Sequence, residues 1–139
     1  MPLSPCALPL VLWCIGVFIL SSIPGNMYPE VNIVGADKAV HVALYSLGGL
    51  LAGMAFYRRN YGWLFGVVFC CLYGVSDEVH QIFVPRRSFS WGDILADATG
   101  GLIGVSVFYF LVLPVFRGRV LPEWNENALP NETKGVRST

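Results

Sequence analysis

The sequence predicts an all-α fold, a polytopic membrane helix bundle with four transmembrane helices, and three observations predict it. Apolar residues make up 55% of the chain and charged residues only 13%, with a mean hydropathy of +0.59, a composition far from that of a soluble domain. The apolar residues gather in four runs, each near the ~20 residues that a helix needs to cross ~30 Å of hydrocarbon. Finally, the runs lack the strict alternation of barrel strands, and a backbone in lipid must satisfy its own hydrogen bonds, which leaves helices as the spanning form.

The first run, Ala7 to Ile23, follows an opening free of Lys and Arg, and no small-x-small site comes after Leu20. It is therefore expected to remain as a helix and not to be cleaved as a secretion signal. Pro24, Gly25, Asn26 and Pro29 then break the chain into a loop that ends near Asp37. The second run, Ala39 to Tyr57, and the third, Tyr61 to Val75, are separated only by Arg58, Arg59 and Asn60, so they predict a tight antiparallel hairpin. Nothing breaks the third helix before Pro85, so it is expected to carry Asp77, Glu78, His80 and Gln81 out to one membrane surface. Ser90 to Asp93 has the form of a capping box, with Asp93 in place of the usual Glu, and starts a fourth helix through the run Ala98 to Phe116. Residues 1–116 thus form the transmembrane domain, and 117–139, polar and proline-bearing, are expected to be a disordered tail.

Gly49 with Gly53 and Gly100 with Gly104 recur at helical spacing, which suits close approach of helices in lipid. Cys14, Cys70 and Cys71 lie inside apolar runs and Cys6 just before one, without metal-site spacing, so all four read as free thiols. Nine basic residues balance nine acidic ones, and no net field would recruit nucleic acid. Arg58, Arg59, Arg117 and Arg119 flank helix ends on the side of the termini, against Lys38, Arg86 and Arg87 on the other. The rule that short cytoplasmic loops are basic then puts both termini in the cytoplasm of a multi-pass cell-membrane protein.

Four helices in this order bring one set of charged and hydrogen-bonding groups to one face. Asp37, Lys38, His41 and Tyr45 open the second helix, Asp77, Glu78, His80 and Gln81 close the third, Arg87 lies in the next loop, and Asp93 and Asp97 open the fourth. Ionisable groups at membrane depth are costly unless paired or hydrated, so their concentration marks a candidate site. Capping accounts equally well for Asp37 and Asp93, whose charge favours a helix N-terminus. Asp77 and Glu78 sit at the wrong end of their helix, so a cation is expected to compensate them: Lys38, Arg87, a protonated His80 or a metal ion. Arg87, aimed back over the helix ends by Pro85, is expected to pair with Asp77, Glu78 or Asp93.

Asp37-Lys38 with His41 and Tyr45, then Tyr73 to Gln81, then Pro85, Arg87, Asp93, Asp97 and Gly100 resemble the VanZ-like family. The likeness runs from about Ser21 to Gly104, and its most specific element is Asp77-Glu78-Val79-His80-Gln81 with the arginine and aspartate that follow. Two positions depart: Arg86 stands where the family often has glycine, and Asp97 where asparagine is common. The resemblance implies a small multi-helix membrane protein with a link to low-level teicoplanin resistance, and it implies no reaction.

Three functions stay open. The chain could bind an anionic lipid-linked envelope precursor or head group at the outer leaflet, with Lys38, His41, Tyr45, Gln81, Arg87 and Asp93 as binding groups. It could instead be an intramembrane enzyme on a phosphate-linked lipid, with Asp77, Glu78, His80 and Asp97 in acid–base work or holding Mg²⁺ or Mn²⁺. Or the polar cluster could only lock helices together. No serine or cysteine nucleophile motif supports acyl transfer.

Overall fold

In the computed structural model, which describes residues 7–28 and 35–120, the chain is an all-helical membrane bundle. Cys6, Pro29 and, of the tail expected over 117–139, the part from residue 121 lie outside the described residues, while residues 117–120 belong to a helix. Helix α1 spans Leu8–Ser21, α2 Ala36–Phe56, α3 Gly62–Gln81 and α4 Trp91–Val107. A π-helical turn, Phe108–Val112, carries α4 into α5, Leu113–Val120. The wide turn lies just before Pro114, whose missing N–H and bulky ring disfavour a regular α pattern at that point.

Among the described residues, three helices are long and apolar enough to cross a membrane: Ala36–Phe56, Gly62–Gln81 and Trp91–Phe116. The first helix is apolar but shorter: its 14 residues rise about 21 Å. It stops at Ser21 because Ser22 turns its hydroxyl onto the Phe18 carbonyl at 2.7 Å and Pro24 follows. The hairpin between α2 and α3 turns within the five residues 57–61, with Tyr61 at φ 60° as the α3 N-cap.

The core is built on glycine. A β-carbon on Gly100 would strike the Val42 carbonyl, one on Gly104 the Ser46 carbonyl, and one on Gly49 the Gly101 carbonyl. These contacts rise together along both helices, so α2 and α4 run parallel with their backbones touching, as small-residue packing in lipid allows. Helix α3 runs antiparallel to both: Gly74 faces Asp97, Cys70 faces Gly101, and Gly66 faces Val105. Helix α1 is fastened by Trp13 Nε1, which donates to the Leu44 carbonyl at 3.2 Å, and by Tyr73, whose hydroxyl donates to the Cys14 carbonyl at 2.6 Å. Leu12, Ile19, Leu47, Leu72, Leu95 and Phe110 are exposed apolar side chains on the outside of the bundle, where lipid would solvate them. Cys14, Cys70 and Cys71 are free thiols, as their placement predicts.

Candidate functional site

Among the described residues, the buried carboxylates gather at one end of the bundle. The start of α2, the end of α3 and the start of α4 meet there, and they carry Asp77, Glu78, Gln81 and Asp97, all buried, with Glu78 and Asp97 at 0% exposure. Helix phase puts them inside. Buried Gly62, Gly66, Cys70, Gly74, Asp77, Glu78 and Gln81 form one stripe of α3, and Ala96, Asp97, Gly100, Gly101 and Gly104 one stripe of α4. His41 lies one turn before buried Tyr45 on α2, so its ring enters the same seam.

There His41 Nδ1 and Asp97 Oδ1 are 2.8 Å apart. An ionised carboxylate only accepts, so Nδ1 carries the hydrogen, and in the neutral imidazole Nε2 keeps the lone pair. Gly74 makes the room: a β-carbon there would lie 2.9 Å from Asp97 Cβ and 3.0 Å from Oδ2. Glu78 Oε2 accepts from the Ser90 backbone N–H at 2.8 Å, while Asp93 N donates to Ser90 Oγ at 3.3 Å. Ser90 is therefore the N-cap of α4, as its sequence context predicts. The second half of the expected capping box is corrected, because Glu78 from α3, and not Asp93, takes the Ser90 N–H. The Asp93 carboxylate turns instead to Lys38 Nζ at 3.2 Å, which also holds Asp37 at 2.9 Å. Lys38 can lie across the start of α4 because residue 92 is glycine, whose β-carbon would sit 2.8 Å from Lys38 Cε. Asp37 caps nothing with its side chain; the α2 N-cap is Gly35, at φ 81°.

Among the described residues, no Lys, Arg or His side chain forms an ion pair with Asp77 or Glu78 over the end of α3. The N-terminal N–H of α4 satisfies one oxygen of Glu78, an interaction that the helix dipole favours. Its other oxygen, Oε1, is buried without a partner, as are Asp97 Oδ2 and the Tyr45 hydroxyl. Tyr45 packs its ring edge-on to Trp13, 5.3 Å between centroids. Asp77 pairs with Gln81 at 3.3 Å, one of the two partners its spacing allows.

The other, His80, points elsewhere. It lies off the buried stripe, with Nε2 3.0 Å from Ser22 Oγ and its ring 4.6 Å from Phe18, both on the α1 side. Arg87 goes the same way: its guanidinium lies over the Tyr28 ring at 4.4 Å, and Nε donates to the Ile23 carbonyl at 3.5 Å. Among the described residues it pairs with no carboxylate, so the expected bond to Asp77, Glu78 or Asp93 is not made. The reason is the loop's own docking. Gly25 N donates to the Pro85 carbonyl at 3.1 Å, and a β-carbon on Gly25 would strike the Arg86 carbonyl, so residues 85–87 are pressed onto the Gly25–Met27 turn.

The ten site residues expected from sequence thus divide. Lys38, His41, Tyr45, Asp77, Glu78, Gln81, Asp93 and Asp97 line or border the seam between α2, α3 and α4, while His80 and Arg87 clasp the end of α1. Sequence reading missed Gly74 and Gly92, which make room for Asp97 and Lys38; the four-residue spacing of Gly62, Gly66, Cys70 and Gly74 was the available signal. Within the seam, one ligand atom each from His41, Glu78 and Asp93 fall within 4.8 Å of one another, a set able to hold a metal ion.

The family model described as VanZ/LLP1 matches residues 7–113, which takes in helices α1 to α4, the π-helical turn and both polar clusters. The chain belongs to the VanZ/LLP1 family. No curated protein and no solved structure matches it. Membership agrees with the resemblance carried by Asp77-Glu78-Val79-His80-Gln81, and extends it from Ser21 back to Ala7, so α1 is part of the VanZ/LLP1 unit.

Proposed function

We propose that this VanZ/LLP1 protein binds the phosphate-bearing head group of an anionic, lipid-linked envelope precursor at the outer leaflet, with both termini in the cytoplasm. The observation that carries this reading is that the buried ionisable seam and the basic side chains Lys38 and Arg87 belong to the same end of a lipid-embedded bundle. A ligand that lies in the membrane and presents a charged, hydroxyl-rich head at its surface matches that arrangement. Lys38 and the Arg87 fork suit phosphate, and the carboxylates suit sugar hydroxyls or a cation between them and the phosphate. The location of the unpartnered Glu78 and Asp97 oxygens in the seam supports entry of a polar group from that end.

A second reading is supported by the Asp97–His41 pair, a carboxylate that orients an imidazole as in general-base sites. On that reading the same head group is hydrolysed or transferred. Incubating the purified chain with a polyprenyl-phosphate-linked lipid separates the two, since binding without product supports the first and released product the second.

Two measurements test the binding reading. Cysteine probes near Ser88 should label from outside intact cells and probes near Arg59 should not; the reverse pattern moves the site to the cytoplasmic leaflet and defeats the proposal. Teicoplanin susceptibility of a sensitive host should change on expression and revert with Lys38→Ala at unchanged membrane abundance.

A further inference from the structure

We infer that His41, Glu78 and Asp93 form a divalent-metal site in which Asp97 is the positioning residue for the imidazole. Helices α2, α3 and α4 contribute one ligand each, so the site exists only when all three are assembled. A metal ion binds oxygen and nitrogen ligands at about 2.0–2.2 Å, which separates its ligand atoms by roughly 3–4.4 Å. The observed spread, within 4.8 Å, asks for side-chain adjustments of less than about 1 Å to reach that range.

Proximity of acidic groups alone would not carry the inference. Glu78 does, because it is fully buried yet leaves Oε1 without any hydrogen-bond donor while Oε2 is held by Ser90 N–H. Glu78 thus keeps a buried oxygen without a donor beside an imidazole and beside Asp93, whose one described cation is Lys38 at 3.2 Å, so no positive charge in the seam is shared by all three. His41 is prepared for that charge: its Nδ1 is held by buried Asp97, so in the neutral ring the nitrogen left to ligate is Nε2. A carboxylate behind a ligating histidine fixes the ring and raises its basicity, the arrangement that supports metal binding across many sites. One imidazole with two carboxylates suits Mn²⁺ or Zn²⁺ better than Ca²⁺, which favours an all-oxygen shell.

The inference deepens the head-group reading, because a bound dication would turn a seam lined by carboxylates into one that accepts phosphate, but it does not need that reading to hold. The test uses the full chain in detergent, stripped with chelator and titrated with Mn²⁺, Zn²⁺, Mg²⁺ and Ca²⁺. Saturable Mn²⁺ or Zn²⁺ binding is expected, with Ca²⁺ at least about tenfold weaker. Glu78→Gln and Asp93→Asn should each abolish saturation. Asp97→Asn keeps an acceptor for Nδ1 and should weaken binding by about 10–100-fold. His80→Gln, on the α1 side, should leave the titration unchanged and shows that the response is not general to histidine loss.

Absence of saturable binding, or binding indifferent to Glu78→Gln and Asp93→Asn in variants that still elute as folded protein, overturns the site. Vesicles containing phosphatidylglycerol read the head-group proposal separately. Metal binding without vesicle recognition keeps the metal site and defeats the head-group reading. Vesicle recognition that is unchanged by chelator, in a chain that holds no metal, does the reverse.

Discussion

Two polar clusters occupy the same end of this bundle and are built on opposite principles. The seam between α2, α3 and α4 is buried, acidic and short of partners: Glu78 and Asp97 each leave an oxygen unsatisfied. The clasp on α1 is more exposed and its groups are satisfied: His80 meets Ser22 and Phe18, Arg87 meets Tyr28 and Ile23, and Gly25 meets Pro85. Unmet hydrogen-bonding capacity in a buried place costs stability, and a chain that retains it at a membrane surface has a use for it. Met capacity at a helix end is what holding a helix requires. The seam is thus the candidate for chemistry and the clasp for assembly, although one histidine stands in each.

The contrast breaks first where the seam depends on backbone contact. Gly100→Val would drive a side chain into the Val42 carbonyl, push α2 from α4 and part His41 from Asp97. Overpacking of this kind is expected to cost about 3 kcal/mol, read as a fall in thermal midpoint in detergent together with loss of membrane abundance. A Gly100→Val variant of normal stability would mean that α2 and α4 do not touch as described.

Asp97 sharpens the contrast next. Asp97→Leu strands the His41 Nδ1–H and should cost about 2 kcal/mol, whereas Asp97→Asn retains an acceptor and should stay within about 1 kcal/mol of the parent. Asparagine is common at this position in the resembled family, so tolerance there is consistent with a role in orienting His41. Equal damage from the two would make the Asp97 charge, and not its hydrogen bond, the important property.

The same pair shows what was legible beforehand. Helix number, the short hairpin, the Ser90 cap and the gathering of polar residues at one end all follow from local signals: run length, proline and glycine positions, and chain order. Pairings across helices do not. His41 and Asp97 are 56 residues apart, and nothing in spacing joins them. His80 was expected in the site because it sits among Asp77, Glu78 and Gln81 in sequence, yet helix phase turns it away from the stripe that those three share with Gly74. Arg87 was expected to meet a carboxylate on charge alone, and loop docking on Gly25 took it to an aromatic ring instead.

At His80, on the clasp side, the effect should be smaller and confined to stability. His80→Ala removes one hydrogen bond and one ring contact, together about 1 kcal/mol. Membrane abundance is read beside teicoplanin susceptibility and metal titration, and only abundance or thermal midpoint should move. Loss of metal binding in His80→Ala would erase the distinction between the clusters.

The smallest effect, and one of opposite sign, is expected at Arg86. Its φ of 59° lies in the left-handed region, which costs a residue with a β-carbon roughly 1–2 kcal/mol. Glycine avoids that cost but gives back about 0.5–1 kcal/mol through the greater freedom of the unfolded chain. The side chain itself is exposed and makes no ion pair among the described residues, so little else changes on its removal. Arg86→Gly should therefore stabilise the bundle by about 0.5 kcal/mol, which explains why glycine is frequent at this place in the resembled family. Arg86→Ala separates backbone from charge, since alanine loses the guanidinium but keeps the β-carbon that the left-handed conformation penalises. A rise in thermal midpoint for glycine and none for alanine supports backbone strain at the turn. Equal rises for both would place the cause in the arginine's charge, and a fall for glycine would mean that the clasp depends on Arg86 after all.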